Sequence, residues 1–90
     1  MMYNNKEMAV LAATSTFIQI AKLTERHEHY NLTEMVKEYI ITIFCDDEER
    51  LFEIVDNLRN ARYFEDEGQL DNKNYLQNTK TYTIEIKFPY

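Results

Sequence analysis

Apolar and polar residues alternate without interruption at the C-terminal end of the chain. The apolar positions there are Tyr82, Ile84, Ile86, Phe88 and Tyr90, and polar residues separate the first four of them. Successive side chains of a strand point to opposite faces, so this period of two is typical of a strand with one buried and one solvated face. The segment 82–90 is therefore predicted to be a strand that contributes to the core.

A different pattern at the N-terminal end predicts a long helix. Residues 6 to about 28 contain neither Gly nor Pro, and Asn4 or Asn5 can cap the first turn. At 100° per residue the apolar side chains cover an arc of about 200°, compared with about 100° for a half-buried surface helix. They are Ala9, Val10, Leu11, Ala13, Phe17, Ile18, Ile20 and Ala21, and Ser15, Gln19 and Lys22 form a narrow polar strip. One small domain cannot cover so wide an arc, so we expect a second copy of the chain to pack against this helix.

The middle of the chain predicts a strand followed by a helix. From about Val36 to Cys45 both faces are largely apolar, which favours a central strand covered on both sides. Asp46 or Asp47 can cap the next helix, and acidic residues in its first turn suit the helix dipole. Its buried face is predicted from helical spacing to comprise Leu51, Phe52, Val55, Leu58 and the stem of Arg62, near which the helix ends.

Residues 63–80 show little pattern, although eighteen residues without structure are unusual inside a compact domain. A short extra strand or turn is therefore expected near residues 62–64 or 75–76.

The predicted fold class is α+β, with the order α-β-α-β: a single domain, 1–90, in which a long N-terminal helix and a second helix pack on a small β-sheet. Two strands do not make an independently stable sheet. Either residues 63–80 supply a third strand or two chains join sheets across an edge, and we favour a homodimer.

The net charge of −6 narrows the classes of partner. Contacts to nucleic-acid phosphates or to an anionic membrane surface need a basic face, so neither direct nucleic-acid binding nor membrane binding is expected. The uncharged segment 8–21 is too short to span a bilayer as a helix.

The only cysteine, Cys45, lies in an apolar run and is predicted to be a small buried hydrophobe. A single cysteine also suits a reducing compartment, and a cytoplasmic location is expected.

Candidate catalytic and metal-binding groups are few. His27 and His29 point about 200° apart if both are helical, and Glu25 with His29 supplies only two ligands at i, i+4. Zinc sites need three or four ligands, so solvated side chains are the preferred interpretation. The acidic runs 46–49 and 65–67 are predicted to lie in solvent and do not follow the pattern of a calcium loop. We therefore expect no enzyme activity, no cofactor and no metal.

Acidic side chains are the candidate partner-binding groups. Glu49, Glu53 and Asp56 recur at i, i+4 and i+7, opposite the apolar face of the second helix. Carboxylates spaced along a rigid helix can imitate a row of DNA phosphates. The tentative partner-binding residues are Glu49, Glu53, Asp56, Glu65, Asp66 and Glu67. Together they predict a protein partner with a basic surface.

Three functional hypotheses follow. The first is a non-catalytic, acidic protein-interaction module that regulates or inhibits a larger protein partner. The alternatives are a nucleic-acid mimic that blocks a DNA- or RNA-handling enzyme, and a small enzyme or ligand-binding domain with a pocket at a dimer interface, using His27 or His29. Residues with A/T-rich codons are abundant, which favours an AT-rich source genome. In size and charge the chain resembles small acidic proteins of phages and mobile elements in a general way.

Overall fold

Each of the two helices is followed along the chain by a pair of strands. The structure is a computed structural model that describes residues 2–24 and 28–90. Within these residues the elements are α1 (Lys6–Leu23), β1 (His29–Met35), β2 (Glu38–Cys45), α2 (Glu48–Asn60), a 3-10 turn (Glu67–Gln69), β3 (Leu70–Leu76) and β4 (Thr81–Pro89). The strands form one antiparallel sheet in the order β1-β2-β4-β3. The α+β prediction is confirmed, and each predicted strand proves to be half of a hairpin.

Both helices pack on one face of the sheet. The core collects Tyr39, Ile41, Ile43 and Cys45 from β2, and Ile84, Ile86 and Phe88 from β4. These residues alternate along their strands, as the period of two in segment 82–90 predicts. Neither described helix lies over the other face, and its residues Ile40, Thr42 and Phe44 are only half-buried. The prediction that the central strand is covered on both sides is therefore wrong.

The first helix is shorter than the sequence pattern predicts. It begins after Asn5, whose side chain accepts a hydrogen bond from the Met8 N–H, and it ends at Leu23. Thr24 is extended, with φ −78° and ψ 144°, and both its N–H and its hydroxyl donate to the Ile20 carbonyl at 2.9 Å. Residues 25–27, for which a helical end was predicted, lie outside the described residues. In α1 a narrow strip is fully buried, and it consists of Ala9, Ala13, Thr16 and Ile20.

The strand β1 was missed by the sequence analysis, which placed His29 and Tyr30 at a helix end and residues 31–33 in a connection. Only Tyr30 and Leu32 of this strand pack against the core, because β1 lies at the edge of the sheet. The predicted extra strand near residues 75–76 is confirmed as part of β3. The alternative, residues 62–64, is a turn, and the left-handed φ of 62° at Arg62 belongs to it.

The second helix follows its predicted limits closely. The Asp47 side chain accepts from the Glu49 N–H at 3.0 Å, which confirms the predicted cap. The helix ends at Asn60, two residues before the predicted end, and its buried side chains are Leu51, Ile54, Val55 and Leu58. Phe52 and the stem of Arg62 were also predicted to be buried. Phe52 is 38% exposed, and Arg62 is exposed in the turn that follows the helix. The Phe52 ring lies in solvent under the ammonium of Lys73, 4.2 Å from the ring centroid.

Candidate interaction surfaces

The acidic row on α2 lies in solvent as predicted. Glu49, Glu53 and Asp56 are all exposed, on the side of the helix away from the core. Two arginines interrupt the row. Arg50 Nη1 lies 3.3 Å from a Glu53 oxygen, and Arg59 pairs with Asp56 three residues before it. The two arginines therefore offset part of the negative charge of the row, and its role in partner binding stays a prediction.

Arg59 also joins the two acidic groups that the sequence singled out. Its Nε donates to Glu67 at 2.5 Å and one terminal nitrogen donates to the same carboxylate at 3.1 Å. This hydrogen bonding lowers the pKa of the Glu67 carboxyl below its ordinary value. The acidic loop residues Glu65 and Asp66 are exposed next to this pair. Four of the six predicted residues, Asp56 and residues 65–67, thus form one patch at the end of α2.

A second arginine fastens three parts of the fold to one another. Arg50 Nε donates to Glu28 at 2.7 Å, and another of its nitrogens donates to the Leu23 carbonyl at the end of α1. The Glu28 side chain is only 7% exposed, whereas that of Arg50 is 30% exposed, so the carboxylate is the more buried partner of this ion pair. Arg50 consequently ties α2 to the end of α1 and to the segment before β1, which is a structural role.

Gln69 is a buried polar side chain that holds the 65–69 loop on the sheet. It is 1% exposed. Its oxygen accepts from the Glu65 N–H at 2.6 Å and from the Asp66 N–H at 3.3 Å. Its nitrogen donates to the Lys87 carbonyl at 2.9 Å and to the Tyr3 hydroxyl at 3.2 Å. The acidic loop is therefore anchored to β4 by one buried residue that no sequence pattern indicated.

The cysteine candidate is buried, whereas the one histidine candidate among the described residues is exposed. Cys45 is fully buried, which confirms its predicted position, and burial raises the pKa of its thiol to about 11. A thiol that stays protonated at neutral pH is a poor nucleophile. His29 is exposed at the start of β1, whereas His27 and Glu25 lie outside the described residues. In residues 2–24 and 28–90, no three His, Cys, Asp or Glu side chains are grouped as metal ligands.

The apolar arc of α1 is divided between the core and the solvent. Three large side chains on its outer side remain in water: Met8 is 49% exposed, Leu11 66% and Ile18 51%. They are spaced at i, i+3 and i+10, which places them along one side of a helix, opposite the buried strip. We call Met8, Leu11 and Ile18 the α1 stripe. The sequence predicted that this helix has more apolar surface than one copy of the chain buries, and the exposure of the α1 stripe confirms that part of the prediction.

Neither helix of the described chain has the length and apolarity needed to cross a bilayer. Comparisons with known proteins give no family: no family model matches the sequence, and neither a curated protein nor a solved structure matches it. Any functional conclusion about this chain is therefore drawn from the two acidic groups, the α1 stripe and the edges of the sheet.

Proposed function

We propose that the protein is a non-catalytic interaction module that acts in the cytoplasm by binding and regulating, or inhibiting, a larger protein partner. The observation that carries the proposal is the exposure of the α1 stripe. Burial of apolar surface contributes about 25 cal/mol per Å², so large aliphatic side chains left in water are surface that a partner can use. Binding energy at protein interfaces is concentrated in a few such side chains.

The surroundings of the stripe suit a protein partner. Ser15 and Lys22 are exposed beside it and supply a polar rim. Interfaces commonly combine an apolar centre with a polar rim. The acidic residues of α2 and of the 65–67 loop supply negative charge that a basic partner surface would meet. Because Arg50 and Arg59 offset part of that charge, we assign the main contribution to affinity to the α1 stripe.

Capture from a lysate of the source cell, with variants compared by quantitative mass spectrometry, tests the proposal. We expect the double variant Leu11→Lys/Ile18→Lys to lose a partner that the wild-type protein retains, because two charges would replace the apolar centre of the contact. Val36→Lys is the matched control. It replaces an aliphatic side chain that is 88% exposed in the β1–β2 turn and does not belong to the stripe, so it should keep the partner.

The alternative of a nucleic-acid mimic predicts the opposite response. In that case the triple variant Glu49→Gln/Glu53→Gln/Asp56→Asn would lose the partner, and the α1 variant would keep it. If the wild-type protein and every variant retain the same proteins, no stripe-dependent partner exists and the interaction module as proposed is wrong.

A further inference from the structure

The two edges of the sheet differ in how well they are protected against pairing with another strand. At the β3 edge the register shifts between Asp71 and Asn74, and Asn72 has a left-handed φ of 51°. Bulges of this kind are a common protection of exposed edges, because they break the row of unpaired backbone groups. The β1 edge is regular from His29 to Met35 and contains no Pro, Gly or Lys. Of the two, β1 is the edge able to accept a further strand.

The hydrogen-bond pattern identifies which backbone groups of β1 are available. The Tyr90 N–H donates to the Lys37 carbonyl at 2.9 Å, so the backbone N–H and C=O groups of residue 37 point towards β4. Because these directions alternate along a strand, the even-numbered residues of β2 point towards β1. Their partners in β1 are His29, Asn31, Thr33 and Met35. The N–H and C=O groups of Tyr30, Leu32 and Glu34 therefore point away from the sheet.

This set of outward groups is complementary to itself. In an antiparallel pair of two β1 strands related by a twofold axis at Leu32, Leu32 faces its own copy and Tyr30 faces Glu34 of the second chain. All three outward residues then belong to hydrogen-bonded pairs, which gives about six backbone hydrogen bonds, two for each such pair. Shifting the axis by one residue loses one of the three pairs, so the register centred on Leu32 is favoured.

The side chains and charges are compatible with the same register. Tyr30 and Leu32 are half-buried against the core, and the Tyr30 ring meets the ring of Phe17 from α1 at 5.1 Å. Pairing would bring these apolar groups of both copies together on the helix side of the sheet. Glu34 is the only acidic residue of β1, and the two copies of Glu34 would lie about 13 Å apart at 3.3 Å per residue. That exceeds the Debye length of about 8 Å in physiological salt, so their repulsion is small.

From this geometry we infer that the protein forms a twofold homodimer in which two β1 strands pair in antiparallel fashion about Leu32 and make one continuous sheet. The occupant of the open edge is a second copy of the chain. This interface involves backbone groups of β1 and does not depend on the proposed partner at the α1 stripe.

Sedimentation equilibrium across a dilution series is the first test. The wild-type protein should approach twice the 10.9 kDa of one chain. Leu32→Pro removes the outward N–H at the twofold axis and should shift the mass to that of one chain. An edge strand tolerates Pro where the N–H faces solvent, so the fold should be kept. Leu32→Ala retains the N–H and is the matched control, which should still form dimers.

Amide hydrogen exchange of the wild-type protein is the second test, and it does not require Leu32→Pro to fold. The outward amides of Tyr30, Leu32 and Glu34 should be protected in the dimer and lose protection on dilution. The inward amides of Asn31 and Thr33 are the internal control, since they bond to β2 in either state. A wild-type protein that is monomeric throughout the series overturns the inference. So does a dimer whose outward amides exchange as fast as those of an unpaired strand.

Discussion

Replacing Gln69 by Leu is expected to lower the free energy of unfolding by about 3 kcal/mol, because several buried polar groups lose their partner together. The substitution would leave the Glu65 N–H and the Lys87 carbonyl without the bonds that the Gln69 amide makes to them. Among the described residues no buried side-chain nitrogen or oxygen lacks a partner, so this network is fully satisfied before the change. Urea unfolding followed by circular dichroism measures the loss.

The matched control for this substitution is Gln77→Leu. Gln77 is exposed in the turn between β3 and β4, and the same chemical change there should shift the free energy of unfolding by no more than about 0.5 kcal/mol. Equal effects at the two positions would mean that Gln69 is not the anchor of the 65–69 loop.

Replacing Leu51 by Ala is expected to cost about 2–4 kcal/mol of stability, the usual range for removing a large aliphatic side chain from a core. Leu51 is 0% exposed and lies in the single cluster that both helices form with β2 and β4. Because the side chain is fully buried, its removal loses both the burial of its apolar surface and the packing contacts around it. Chemical unfolding curves of the variant and the wild-type protein give the difference directly.

The neighbouring residue of the same helix provides the control for Leu51. Phe52 is larger but 38% exposed, so Phe52→Ala should cost well under the loss at Leu51. A larger loss at Phe52 than at Leu51 would mean that α2 packs through a different face from the one described.

The parts of the fold with a strong periodic pattern were predicted correctly. The alternation of β4 and three of the four buried residues of α2 were readable because apolar residues there repeat with the period of the element. The cap of α2 was readable because an Asp precedes its first turn. Phe52 was misassigned because hydrophobicity alone cannot decide which apolar residues of a helix face the core. In the structure Ile54 occupies the core position instead.

The remaining features depend on contacts between distant segments. The strand β1 has only two residues that pack on the core, so its sequence looks like a polar connection. Gln69 stands in a polar loop, and its burial follows from the approach of β4 and of Tyr3, which lies 66 residues away. The pairing of Arg59 with Glu67 likewise arises only when the loop folds back on α2, whereas its pairing with Asp56 is made within the helix.

The α1 stripe and the β1 edge are two separate surfaces with different chemistry. The stripe offers apolar side chains, whereas the edge offers backbone hydrogen bonds. We propose that β1 joins two copies while the stripe of each copy receives the larger partner. A dimer of this kind would present two stripes. If the partner also has two binding sites, binding of one stripe raises the effective concentration of the other stripe at the second site.

In the function proposed for this protein, the α1 stripe contributes to binding a partner and contributes nothing to the fold of one chain. The most direct test is the free energy of unfolding of Leu11→Lys/Ile18→Lys, measured at a concentration low enough to keep the chains monomeric. We expect a value within about 0.5 kcal/mol of the wild-type protein, as for other exposed positions. A loss of about 2 kcal/mol or more, the size of a core defect, would contradict the account by showing that these side chains are needed inside the monomer.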